Sequence, residues 1–145
     1  MAWIYDAMDA IKTELEALTT APDVVAIVPK GQEGLTLPAA KSFWYTLHPE
    51  GDGETPESGA AYVASYIIGV TLWIKSNKKP EEIVSTLATK VKATRDKLRY
   101  NNLDGFSRTE ILGDRLGDGE YSDGEDSESV YGYQFLITVP KQYNA

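Results

Sequence analysis

The hydrophobic pattern is densest between Ala61 and Lys75, where AYVASYIIGVTLWIK carries β-branched and aromatic residues without a proline. Such a run predicts a strand. Alternation puts Tyr62, Ala64, Tyr66, Ile68, Val70, Leu72 and Ile74 on one face, and Val63, Ser65, Ile67, Gly69, Thr71, Trp73 and Lys75 on the other. The first face is apolar throughout and the second keeps Ile67 and Trp73, so the strand is expected to be central, with cover on both sides. At about 3.3 Å per residue it spans about 45 Å. That exceeds the core of one small domain, so Gly69 is expected to mark a bulge or bend, or the strand to finish its packing on a neighbouring subunit.

Around this strand the periods change. Ile4, Met8, Ile11, Leu15 and Leu18 recur at steps of three and four, which predicts an amphipathic helix over Trp3–Leu18, ended by Thr19, Thr20 and Pro22. Val24–Val28 reads as a short buried strand stopped by Pro29, and Lys30–Ala40, with Gly31, Gly34 and Pro38, as a loop. Ser42–Leu47 reads as a strand. His48–Ala60 (HPEGDGETPESGA) reads as an acidic loop, so that the flanking strands form an antiparallel hairpin with a long tip. Pro80, Glu81 and Glu82 open a second helix whose stripe is Ile83, Leu87, Val91, Thr94 and Leu98, stopped by Asn101–Asn102. Phe106–Leu116 is a weaker strand, Gly117–Glu128 a second acidic loop, and Val130–Val139 a last strand closed by Pro140.

The expected architecture is therefore a single α+β domain over residues 1–145: a mainly antiparallel sheet of about five strands with two helices packed on one face. Nothing in the pattern supplies a cover for the other face. Trp44, Ile67, Trp73, Tyr131 and Tyr133 are the aromatic and apolar residues expected to form an oligomer surface there, unless the sheet curls over them.

Charge sharpens this picture. The net charge of −8 argues against tight sequence-independent binding to nucleic acid, and suits a protein kept soluble at high concentration or a surface that DNA passes without sticking. The chain has no cysteine, which removes disulfides, thiolate metal sites and a cysteine nucleophile. No secretory signal opens it and no apolar run is long enough for a membrane helix, so a soluble protein made in the cytoplasm is expected.

Candidate chemistry is thin. The single histidine, His48, has no serine or cysteine elbow to serve. Gly51/Gly53 and Gly117/Gly119 sit among acidic residues and precede no helix, so neither pair makes a phosphate cradle. Asp114, Asp118, Gly119 and Glu125 match parts of a calcium-loop template, but Leu116 occupies a ligand position and the flanks read as strands. No metal or cofactor is expected. Lys90, Lys92, Arg95, Lys97 and Arg99 crowd the C-terminal half of the second helix, where they complement the helix dipole and, in an oligomer, could meet the acidic loops of a neighbour.

The order of elements, from MAWIYDAMDAIKTELEAL at the start to YGYQFLITVP at the end, resembles the tail terminator (tail-completion, minor tail or neck) proteins of long-tailed bacteriophages. The matching parts are Trp3–Leu18, Ser42–Lys75, Pro80–Arg99 and Phe106–Val139, nearly the whole chain, although no fixed-residue motif marks the family. The resemblance implies a structural virion protein and not an enzyme, made in the host bacterial cytoplasm. Such a protein would form a hexameric ring on the head-proximal end of the tail tube, end tube growth and meet the head–tail connector protein. In such a ring the subunit contacts expected from the uncovered face and the cationic helix are Trp44, Ile67, Trp73, Lys92, Arg95, Arg99, Tyr131 and Tyr133. Double-stranded DNA would pass through without being specifically bound, along a lumen lined by Glu50, Asp52, Glu54 and Glu57 and by Asp118, Glu120, Asp123, Glu125, Asp126 and Glu128. Another neck component, or a small module binding a ligand or peptide around Trp44, Trp73 and Tyr133, are the competing readings; a metal-assisted hydrolase has no pre-organised carboxylates to support it.

Overall fold

A computed structural model describes residues 4–29, 42–56, 62–99, 110–116, 121–122 and 129–140. The elements in chain order are α1 (Ile4–Glu16), β1 (Val24–Ile27), β2 (Phe43–Pro56), β3 (Tyr62–Ser76), α2 (Pro80–Leu98), β4 (Glu110–Leu116), β5 (Tyr121–Ser122) and β6 (Ser129–Pro140). The class is α+β, and the sheet order is β1-β2-β3-β6-β4, with β5 also pairing β6. The sheet is mixed: β1 runs parallel to β2, while the other pairings are antiparallel. Asp23 secures the start of the parallel pair. Its Oδ2 accepts the Ser42 and Phe43 N–H groups at 2.9 and 3.1 Å, and its own N–H donates to the Phe43 carbonyl at 2.7 Å. At the other end the Val28 N–H donates to the Leu47 carbonyl.

The expected long strand is present as β3, and β2 is nearly as long. The stretch read as an acidic loop from His48 continues as strand to Pro56, with register running from Phe43↔Ile74 to Pro56↔Tyr62. Glu50, Asp52 and Glu54 are therefore strand residues. Glycine, proline and acidic residues are poor strand formers, but the backbone groups of β3 need partners, and pairing overrides propensity here. The bulge falls on β2 and not at Gly69: the register shifts between Pro49 and Gly51, leaving Glu50 as the extra residue, and Gly51 takes φ 145°.

Register assigns the faces. Phe43, Tyr45 and Leu47 of β2, Tyr66 to Ile74 in alternation on β3, and Phe135, Ile137 and Val139 of β6 share one face. Ala7, Met8, Ile11 and Leu15 of α1 and Ile83, Leu87, Val91 and Leu98 of α2 close on that face, so both helices pack on the same side. Ile74↔Tyr131 and Leu72↔Tyr133 put both tyrosines under the helices as well, which removes them from the second face where the aromatic pattern had suggested them. The second face carries Trp44, Thr46, His48, Ile67, Gly69, Thr71, Trp73 and Gly132.

Candidate assembly surface

The second face is tightly filled. Trp44 and Trp73 stack with ring centroids 6.5 Å apart and planes 17° from parallel, against Val130 and Val24. They are 1% and 5% exposed within the chain itself, so they do not form the uncovered aromatic surface expected from the sequence. The Trp73 indole N–H donates to Thr46 Oγ1 at 2.9 Å. Gly132 lies across the strand pair from Trp73, and a Cβ there would stand 2.7 Å from ring carbon Cζ3. Gly69 plays the same part for His48, its cross-strand partner: the imidazole lies flat over the glycine, fully buried, in the space a side chain would take. Its Nε2 stands 2.6 Å from Glu50 Oε1. Glu50 is thus engaged with His48 and is not a solvated loop acid. A glycine inside a strand signals close approach, but only the register shows which bulky residue approaches.

Pro56 pairs with Tyr62 at one end of β3, whereas β6 enters at Ser129↔Ser76, at the opposite end of a strand about 45 Å long. Tyr121 and Ser122 of β5 pair with Val130 and Ser129 at that second end. Glu57, Asp118, Glu120, Asp123, Glu125, Asp126 and Glu128 lie outside the described residues, as does the Lys30–Ala40 loop, and of Asp52 and Glu54 only the strand placement is described. Asp114, from the calcium template, sits on β4 opposite Phe135. Among the described residues no group of three or more metal-ligating side chains converges.

The basic half of α2 is ordered by its partners. Lys97 meets Glu14 of α1 at 3.4 Å, marking the seam between the helices. Arg95 donates to the Tyr133 hydroxyl at 3.4 Å on the other side. Lys92 donates to Asp96 Oδ2 at 2.6 Å in the open. That hydrogen bond holds the Asp96 carboxyl below its ordinary range, with the charges of Lys92, Arg99 and Arg95 adding to it. Lys90 turns inward, its ammonium 3.7 Å from the Phe43 ring centroid; burial lowers its pKa and the charge of Asp23 opposes the shift.

A cleft of about 390 Å³ opens beside Lys90, between the end of α1 and α2, with Leu18, Phe43 and Tyr45 as its apolar lining and Thr89, Asp96 and Lys97 at its rim. It can shelter an apolar group, but it holds no nucleophile paired with a base. Trp44 and Trp73 are enclosed, so the tryptophan face expected for a ligand-binding module does not present these rings to a ligand.

No family model matches the chain, and no curated protein matches it. Among solved structures, a chain of the virion of a native gene transfer agent (GTA) particle is similar in fold, with a TM-score of 0.61. The two are 14% identical, and the match covers 92% of each chain. At that identity the likeness is one of fold.

Proposed function

We propose that this chain is a structural protein of a phage-like virion, assembling as a hexameric ring at the head-proximal end of the tail tube, where it ends tube growth and receives the head–tail connector. The observation that carries the reading is the fold shared with a chain of a gene transfer agent virion over 92% of both chains. A net charge of −8, which suits passing DNA, agrees with it. A ring of this kind would offer DNA a net-negative surface that it passes without being held.

The test is the solution mass by light scattering over a concentration and salt series, with negative-stain imaging and with purified tail tubes added. Rings seated on tube ends support the reading. A chain that stays monomeric with tubes present refutes it. A second reading, a ligand-binding module, has one observation in its favour, the cleft over Phe43 and Tyr45. It predicts a monomer whose thermal stability rises with an apolar ligand and loses that response in Phe43→Ala.

A further inference from the structure

The two helices show opposite charge to solvent. On α1, Tyr5, Asp9 and Glu16 recur at i, i+4 and i+11 with Asp6 beside them, all exposed and on the far side from Ala7, Met8, Ile11 and Leu15. With half-buried Lys12 among them, this stripe carries a net charge of −2. On α2, Ala88, Lys92, Arg95 and Arg99 recur at i, i+4, i+7 and i+11, and with Asp96 they carry +2. The Glu14–Lys97 contact marks the seam between the helices, while Arg95 reaches the other way, to Tyr133 on β6. The basic flank of α2 therefore faces away from α1. Because α1 packs toward β1 and β2 and α2 toward β3 and β4, the acidic stripe and the basic flank stand on opposite lateral sides of one helical layer.

We propose that this basic flank of α2 is the docking surface for a second copy of the chain, which presents the outer stripe of its α1. The assignment rests on the ring reading for its setting and names the contact that the ring would use. Charge complementarity selects the occupant: one chain carries both halves, −2 against +2, at matching helical spacing. Within one chain an α1 carboxylate already meets an α2 cation, Glu14 to Lys97 at 3.4 Å, on the seam side of both helices. DNA suits the flank less well, because Asp96 sits among its three cations, Glu81 and Glu82 stand on the same helix, and the chain as a whole is at −8. The contact is head to tail. Each copy leaves one free half on either side, so association continues until the rotation per copy closes a ring. Such pairs set orientation more than affinity, and exposed Tyr5 adds the apolar anchor.

The chain has no native cysteine, which makes the test direct. Tyr5→Cys and Ala88→Cys, both at exposed positions and opposite one another in the register that pairs Asp9 with Lys92 and Glu16 with Arg99, leave every charge in place. Mixed and oxidised mildly, they should form the covalent pair at least tenfold faster than either variant alone, or than Tyr5→Cys with Thr86→Cys, which lies toward the seam. Lys92→Glu with Arg99→Glu should remove that advantage, and Asp9→Lys with Glu16→Lys on the other copy should restore it. Equal rates in all mixtures overturn the proposal, as do rings that survive Lys92→Glu with Arg99→Glu, or a restoration that comes only from reversing Asp123, Glu125 and Asp126. DNA retarded by the wild-type chain and released by Lys92→Glu with Arg99→Glu overturns it too. Fast pairing with only open chains in the scattering leaves the docking standing and sinks the ring.

Discussion

Gly69 is the position where one added carbon should cost most. In Gly69→Ala the new methyl would overlap the Cε1 and Nε2 atoms of His48, and even Nδ1 would lie 2.9 Å away. The imidazole is fully buried and tied to Glu50, so it has no open direction in which to retreat. Overpacking of this kind costs about 1–3 kcal/mol, and displacing the ring from Glu50 about 1 kcal/mol more. Alanine in a strand recovers about 0.5–1 kcal/mol over glycine, which leaves a net loss of about 1–3.5 kcal/mol. For a chain of this size that is a fall in Tm of roughly 3–12 °C. Denaturant unfolding followed by tryptophan fluorescence measures it, since Trp44 and Trp73 are buried reporters on the same face. His48→Ala should also destabilise, but in the double variant the methyl enters the vacated space, so the two losses should fall short of additive by at least about 1 kcal/mol. A Gly69→Ala protein within about 0.5 kcal/mol of wild type, the ordinary range for an uninvolved surface site, would refute the reasoning. Strict additivity with His48→Ala would do the same.

Gly132→Ala presses a methyl to 2.7 Å from Trp73 and should cost about 1–2 kcal/mol, with a change in the near-ultraviolet circular dichroism of the stacked indoles. Trp73→Asp removes a buried stack and buries a carboxylate, so the monomer itself should lose more than about 3 kcal/mol; an unchanged monomer melt with lost assembly would contradict this. Tyr45 is buried with its hydroxyl 2.6 Å from Thr94 Oγ1, which itself donates to the Lys90 carbonyl, so the tyrosine is the donor. Burial pushes its pKa up to about 12. The folded chain then keeps a proton that the unfolded chain loses above pH 10. The stabilisation is complete below pH 10 and declines by up to about 3 kcal/mol as pH rises to 12. Tyr45→Phe should lose about 1 kcal/mol at neutral pH and flatten that alkaline decline, read by denaturant midpoints at each pH.

The two helices and the central strand were readable because periodicity and helix-start chemistry act locally: the Ile83–Leu98 stripe and Pro80 need no knowledge of the rest of the chain. The extension of β2 was not, because HPEGDGETP takes up strand geometry only when β3 lies beside it. The direction of β1 was hidden for the same reason, since four apolar residues read alike in either orientation. The aromatic face was half readable. Alternation put Trp44 and Trp73 on one side, but Tyr131 and Tyr133 belong under the helices, a matter of which residue of β6 meets which of β3. Nor could composition show that Gly69 and Gly132 are the slots for His48 and Trp73. The resemblance to tail terminators supplied the virion reading, whereas the likeness to a chain of a solved virion is one of fold; the candidate subunit contacts Ile67, Lys92, Arg95 and Arg99 rest on proposal.

The placement of β6 has a consequence for biosynthesis. It is last in the chain yet sits between β3 and β4, pairing along nearly all of β3 from Ser65 to Ser76. Until residues 129–140 leave the ribosome, the β2–β3 hairpin carries an unpaired apolar edge that no other described strand occupies. Pairing across some sixty residues also makes this closure the slow, non-local event of folding. A truncated product ending near residue 128 would be an open-edged hairpin prone to aggregate. Copies competent to join one another would therefore come only from chains translated through β6.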